Sequence, residues 1–307
     1  MSKAYEFEKL HGAGNDFVFI EDWDSQLQLS PETVAHICDR HFGVGADGVI
    51  LVRKGQSPSG DGLMYYINAD GTLAQMCGNG VRCTAKYLVD HGMVDAGKNP
   101  IVVDTLSGPK TITYETDESG HVCQATVDMG EPMLAPEQLP TTLKVNGESP
   151  EGVPCILDAP VDSPFGRFAF TCVSMGNPHA VCFIDDFDQL DSSLFTDFPK
   201  SLQTFNVDLV GSYYESASVF PEKANIEFAH VSRGKIEMRV FERGVRETLA
   251  CGTGACATGV AAAISERMGR VNDVVLPGGT LHINWAEDNH VFMTGPAAKS
   301  FVGTLEI

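Results

Sequence analysis

A chain of 307 residues with 43% hydrophobic content can bury a full core and has room for two domains rather than one. Its 41 Asp and Glu against 21 Lys and Arg give a formal net charge of −20, spread along the chain. That argues against nucleic-acid binding, which rests on cations neutralising phosphate. No apolar run approaches the roughly 18 residues that span a bilayer, and the opening MSKAYEFEKL lacks the basic-then-apolar order of a signal peptide; no membrane association and a cytoplasmic setting are expected.

The first elements read as a hairpin. KLHGAGNDFVFIED is a strand, a Gly-Asn turn at Gly14 and Asn15, and a second strand with alternating Phe17 and Phe19. Ser30-Pro31-Glu32 then supplies an N-cap, a proline suited to the first helical turn and an early acid, for a helix reaching about Arg40. HFGVGADGVILVRK predicts a turn and a strand; GLMYYINADGT predicts another, ending at Asn68-Ala69-Asp70-Gly71. A helix is expected from about Asn79 to His91, followed by short strands near 101–105, 110–114 and 121–128.

Between Glu131 and Phe165 seven of the sixteen prolines crowd together, which predicts irregular crossover with at most short edge strands and places the domain boundary there. RFAFTCVSMGNPHAVCFID repeats the strand, Gly-Asn turn (Gly176, Asn177) and strand. After an acidic region come strands near 225–230 and 235–241, a second helix from about Gly252 to Arg267, and short closing strands.

The two helices open alike, MCGNGVRC and ACGTGACA, with Cys77 and Cys251 each directly before a Gly-x-Gly turn. The cysteines lie 174 positions apart (251 minus 77), and at that offset 63–67 falls on 237–241 without a gap, and Asn68 on Glu242. An internal duplication follows. The expected fold is α+β, with two pseudo-symmetric domains, each a curved, mostly antiparallel sheet or barrel wrapped around a central helix. The boundaries are 1–130 plus 296–307 for the domain carrying Cys77, and 131–295 for the domain carrying Cys251.

Nine cysteines, an odd number in a chain too large to need staples, fit reduced thiols. No paired Cys or His spacing fits a structural zinc, so no metal is expected. At a helix start, unpaired N–H groups and the dipole favour negative charge, which biases Cys77 and Cys251 toward thiolate. An unperturbed thiol is only about 3% ionised at pH 7. Brought face to face by a pseudo-twofold axis, the two would flank one substrate carbon, one as general base and the other as general acid. Abstraction of an unactivated Cα proton also needs backbone N–H groups gripping the carboxylate as charge spreads onto it.

HGAGNDF, NADGTLAQMCGNGVRC, VDMGEP, SMGNPHAV, ANIEF and FERGVRETLACGTGA, in this order and covering nearly the whole chain, resemble the diaminopimelate epimerase family. The resemblance implies a cofactor-independent reaction, free of pyridoxal phosphate, that interconverts LL- and meso-diaminopimelate with Cys77 and Cys251 as the acid/base pair. It also implies an amino-acid substrate as the small-molecule partner, and a homodimer. By the family pattern Gly78, Asn79, Gly252 and Thr253 bind the reacting carboxylate, and Asn15 and Glu242 surround the reacting amino group. Asn68, Asn177, Asn225 and Arg243 match the set holding the distal head, and His179 matches a position beside the cysteines that tunes them. Two departures stand out. Gly45-Ala46-Asp47-Gly48 replaces a turn that in many members ends in a substrate-contacting Gln, and Arg246 stands where glycine is usual.

Two other functions stay open at this level. Related two-cysteine enzymes racemise proline, hydroxyproline or other single-headed amino acids; Asn225 and Arg243 argue for a second carboxylate grip, and Asn79 stands where the proline type shows histidine. A thiol redox or binding protein is the remote alternative, against which no CxxC is present.

Overall fold

The computed structural model describes residues 4–307. The chain divides into two compact units, Met1–Asp128 with Thr294–Ile307, and Met129–Met293.

In the first unit β1 (Ala4–Gly12) and β2 (Asn15–Glu21) form an antiparallel hairpin. Its tight turn is Ala13-Gly14, both at positive φ, so Asn15 opens the strand rather than lying in the turn as expected from Gly14-Asn15. Helix α1 (Pro31–Cys38) follows, with the Ser30 side chain accepting from Thr33 N–H as the N-cap. It carries the chain to β3 (Gly48–Arg53), parallel to β2, and β4 (Gly62–Asn68) returns antiparallel. Helix α2 (Gly78–Asp90) is the second crossover, to β5 (Ile101–Thr105), parallel to β4; β6 (Gly108–Thr116) and β7 (Val122–Asp128) close antiparallel. The C-terminal strand, Ala298–Glu306, pairs with β1.

Helix α2 is buried from Gly78 to Leu88 and packs against β1, β2, β4, β5, β6 and β7, with Ile50 of β3 against Gly80, so the sheet wraps it. A helix buried all round must satisfy its own polar groups. Thr84 Oγ1 bonds Gly80 O at 2.9 Å, and Lys86 Nζ bonds Val122 O and Asp90.

In the second unit the proline-rich segment holds a 3-10 turn (Pro136–Gln138) and the two-residue pair β8 (Gly147–Glu148) and β9 (Pro154–Cys155) before β10 (Ala159–Ser163), which pairs with β11 (Gly166–Ser174). Then β12 (Pro178–Phe183) is antiparallel to β11, α3 (Val207–Glu215) crosses over, and β13 (Asn225–Ser232) lies parallel to β12. From β14 (Lys235–Glu242) and the short β15 (Arg246–Thr248) the chain enters α4 (Gly252–Ile264), and β16 (Val271–Leu276) lies parallel to β14, with β17 (Gly279–Trp285) antiparallel to it.

The two topologies repeat each other: hairpin, helical crossover to a parallel strand, return, central helix to a parallel strand, return. Helices α2 and α4 are both 13 residues long and coincide at the 174-residue offset. Helix α4 is nearly all Gly, Ala, Thr and Cys at its strand contacts, and Gly259 lies where an added Cβ would stand 3.0 Å from Ile283.

Helix α3 was not foreseen in the acidic region. It covers the outer face of its sheet, where Tyr214 packs on Phe170 and Phe168, and Phe205 on Phe228. In the first unit Val34 and Ile37 of α1 do the same over Val18, Ile20, Val49 and Leu51.

Candidate active site

Each central helix starts at a cysteine whose sulfur is the N-cap. Cys77 (φ −145°) accepts from Gly80 N–H at 3.4 Å, and Cys251 (φ −118°) accepts from Gly254 N–H at the same distance. The Gly-x-Gly spacing has a steric basis. An added Cβ at Gly80 would lie 3.1 Å from Ile50 and 3.4 Å from Cys77, and at Gly254 2.8 Å from Glu227 and 3.2 Å from Cys251 Sγ.

In the first unit Asn15 joins this helix start. Its Oδ1 accepts from Asn79 Nδ2 at 3.2 Å and lies 3.5 Å from Cys77 Sγ, while its Nδ2 donates to Asp47 Oδ2 at 2.6 Å. Asp47 in turn accepts from Arg40, which also bridges to Asp16. Burial alone would raise Asp16, yet Arg40 and Lys9 bring it down to about 2. Arg82, fully buried, donates to Asn79 Oδ1 at 2.8 Å and to Gly78 O at 3.2 Å, fixing the first helical turn. Asn68 donates to Thr72 Oγ1 at 3.0 Å in its own turn.

The second unit shows the same triangle with different fillings. Asn177 Nδ2 donates to Thr253 Oγ1 at 3.2 Å, and Thr253 Oγ1 is 3.6 Å from Cys251 Sγ. Behind Asn177, His179 Nε2 lies 3.1 Å from its Oδ1, and His179 Nδ1 lies 2.6 Å from Glu227 Oε1, both side chains fully buried. Asn225 bridges Pro178 O and the Arg243 backbone N–H; the exposed Arg243 guanidinium reaches Glu222 O at 3.2 Å. Glu242 accepts from the Thr248 hydroxyl.

Cys251 does not follow the expected bias toward thiolate. With 5% of its surface exposed, burial pushes the thiol well above its ordinary value, and the Glu242 and Glu227 carboxylates add to that. The Thr253 side chain and Gly254 N–H act in the other direction and are outweighed. The partial charge of one helix start does not repay desolvation of an anion beside two acids.

Of the departures from the family pattern, Gly48 has a steric cause. An added Cβ there would stand 2.4 Å from the Tyr66 ring and 2.5 Å from Ile67 O, so Tyr66 fills the space a longer side chain would need. Arg246 has φ 91°, the backbone that glycine adopts freely, and its guanidinium pairs with Asp208 at 3.2 Å on the surface. Asp47, Arg82 and Glu227 were not singled out from sequence. Arg82 carried a usable signal, three residues after Asn79 and four after Gly78 on one helix face.

Among the described residues no group of three His, Cys, Asp or Glu is placed to hold a metal ion, and no helix is long and apolar enough to cross a membrane.

Cysteine-capped central helices in a repeated α+β unit place the chain in the fold shared by amino-acid racemases and epimerases. A probable proline racemase from Agrobacterium radiobacter K84 is 14% identical with a TM-score of 0.66, the match covering 97% of this chain and 92% of that one. The chain belongs to the diaminopimelate epimerase family, an isomerase family, whose profile matches residues 7–135 and 171–300. It is 42% identical to a diaminopimelate epimerase of Leptospira biflexa, over 98% of this chain and 99% of the other. It is 43% identical to a diaminopimelate epimerase of Desulfovibrio desulfuricans, over 99% of each.

Proposed function

We propose that the protein interconverts LL- and meso-diaminopimelate without pyridoxal phosphate, Cys77 and Cys251 acting as the proton-transferring pair. The observation that carries the reading is the repeated constellation of asparagine, capping cysteine and Gly-x-Gly helix start, one in each unit of a chain about 40% identical to relatives bearing that name. The high affinity of Cys251 for its proton supports a resting state in which that thiol is protonated and serves as the acid in one direction. The reverse direction uses the same pair with roles exchanged.

The first-turn N–H groups of Gly78, Asn79, Gly252 and Thr253 stand at the positive ends of their helix dipoles, and they are the proposed grip on the reacting carboxylate. Asn15 and Glu242 are the proposed contacts of the reacting amino group. Asn68, Asn177, Asn225 and Arg243 hold the distal head, Arg243 being suited to a bidentate carboxylate. Cytoplasmic residence and a homodimer complete the proposal; light scattering of purified protein at twice the monomer mass is the expected result for the latter.

The test is incubation of purified protein with LL-diaminopimelate in D2O. Deuterium is expected at one α-carbon together with conversion to the meso form. Exchange of proline, glutamate or histidine in its place would reassign the substrate. Cys77→Ala and Cys251→Ala are each expected to lower epimerisation by at least about 100-fold, and near-normal turnover in either would end the two-base reading.

A further inference from the structure

The two units treat equivalent asparagines in opposite ways. Asn15 and Asn177 stand at the same point of the repeated topology, each bonded to the residue two places after the capping cysteine. Asp47 takes the amide nitrogen of Asn15, and a carboxylate only accepts, so the amide oxygen is left facing Asn79 and Cys77. In the second unit His179 takes the amide oxygen, and the amide nitrogen is left facing Thr253. Having accepted from Asn177, the Thr253 hydroxyl has its own hydrogen to give to Cys251. One cysteine faces an acceptor and the other ends a donor chain.

The direction in the second unit is set by a pair that the first unit lacks. In the parallel ladder β12–β13, His179 lies opposite Asn225 and Glu227 follows two residues on. The same register in β2–β3 sets Phe17 opposite Gly48, with Ile50 two residues on. Ile50 abuts Gly80 as Glu227 abuts Gly254. Phe17 and Ile50 therefore occupy in one unit the places of His179 and Glu227 in the other. Burying an acid and an imidazole where hydrocarbon serves the sister unit costs desolvation, and a buried pair of this kind is weak support for stability. Among the described residues Glu227 Oε2 has no hydrogen-bond partner, so the polar output of the carboxyl goes to His179.

For Nε2 to donate to Asn177, Nδ1 and Glu227 Oε1 must share one proton, as imidazolium and carboxylate or as imidazole and carboxylic acid. Burial raises Glu227 against the opposing pull of His179, in keeping with a shared proton. We propose that Glu227 is a positioning residue which, through His179, keeps Nε2–H on Asn177 and so turns the Thr253 hydroxyl toward Cys251. The proposal rests on the reading of Cys251 as a proton-transfer group. The ionisable groups acting on Cys251 within this unit are Glu227 from β13 and Glu242 from the end of β14, with His179 from β12 bonded to Glu227.

Glu227→Gln retains an N–H that can donate to Nδ1 and so keeps the Nε2–H form, whereas Glu227→Leu leaves Nδ1 unpartnered and the ring free to take either tautomer. Protein labelled with [15N]histidine, its His179 signals assigned from a His179→Gln spectrum, reads this without substrate. A protonated Nε2 is expected in the wild type and in Glu227→Gln, and averaged nitrogen shifts in Glu227→Leu. With LL-diaminopimelate, Glu227→Leu is expected to lose roughly 10- to 100-fold in kcat with KM within about twofold, and Glu227→Gln to recover about tenfold of that loss. An unchanged tautomer in Glu227→Leu, or equal kcat losses in the two variants, overturns the proposal. Should Glu227→Leu fail to fold, an unprotonated Nε2 in Glu227→Gln overturns it alone. If the wild type does not epimerise diaminopimelate, the functional reading falls while the NMR arm still decides the positioning role.

Discussion

Arg246 pairs with Asp208 at 3.2 Å, but the two side chains are 72% and 46% exposed, and an ion pair so placed is worth about 0–1 kcal/mol. Its φ of 91° costs more, on the order of 1–3 kcal/mol for a residue with a Cβ. Arg246→Gly is therefore expected to stabilise the protein by up to about 1 kcal/mol after the entropy of the added glycine is subtracted; a lower midpoint in urea would contradict this. The resemblance flagged the position as one where glycine is usual, and the backbone angle supplies the reason. The residues that orient the site were harder to read. Asn15, Cys77, Asn177 and Cys251 lie in repeated local motifs, while Asp47 lies 32 positions from Asn15 and Glu227 lies 48 from His179. Their roles exist only through pairing between strands distant in sequence.

Elements were legible where one local signal decided them. Both cysteine-capped helices fell within about one turn of their expected ends, and Ser30-Pro31 marked α1. Helix α3 escaped, although Asn206 caps it and Val207, Val210, Gly211 and Tyr214 recur at helical spacing on its buried face. The overlooked clue was in the strands: His179 to Phe183 and Asn225 to Ala229 are continuous buried runs, as Phe17 to Ile20 and Val49 to Val52 are in the first unit, and strands covered on both faces require an outer helix in each unit. Gly48 on β3 follows from the same crowding. Glu and Gln side chains there meet the Tyr66 ring and the Ile67 carbonyl of the adjacent strand, and the carbonyl is backbone that cannot swing aside. Gly48→Gln, which restores the side chain many family members carry, is expected to cost about 1–3 kcal/mol; thermal unfolding at the wild-type midpoint would show that Tyr66 yields.

At the scale of the whole molecule, buried thiols couple folding to alkaline pH. Burial pushes Cys38 up to about 11 and Cys83, Cys172 and Cys182 up to about 12, two of these thiols in each unit. Unfolded, all four release protons from about pH 9. Between pH 9 and 11 the folded chain thus binds more protons than the unfolded one, and the sign of linkage is negative: the contribution is fully present below pH 9 and is lost as pH rises toward the folded values. Each thiol contributes a slope of up to about 1.4 kcal/mol per pH unit in that window. Tyr214, raised by burial to about 12 from 10, extends the loss upward. Surface lysines and the growing negative charge act in the same range, so the slope alone is not diagnostic. Cys182→Ala removes one buried thiol with little change of volume and keeps every surface charge. Its unfolding midpoint is expected below the wild type at pH 7.5, with a measurably shallower decline between pH 9 and 10.5; parallel declines in the two proteins would mean that the buried thiols do not govern alkaline unfolding.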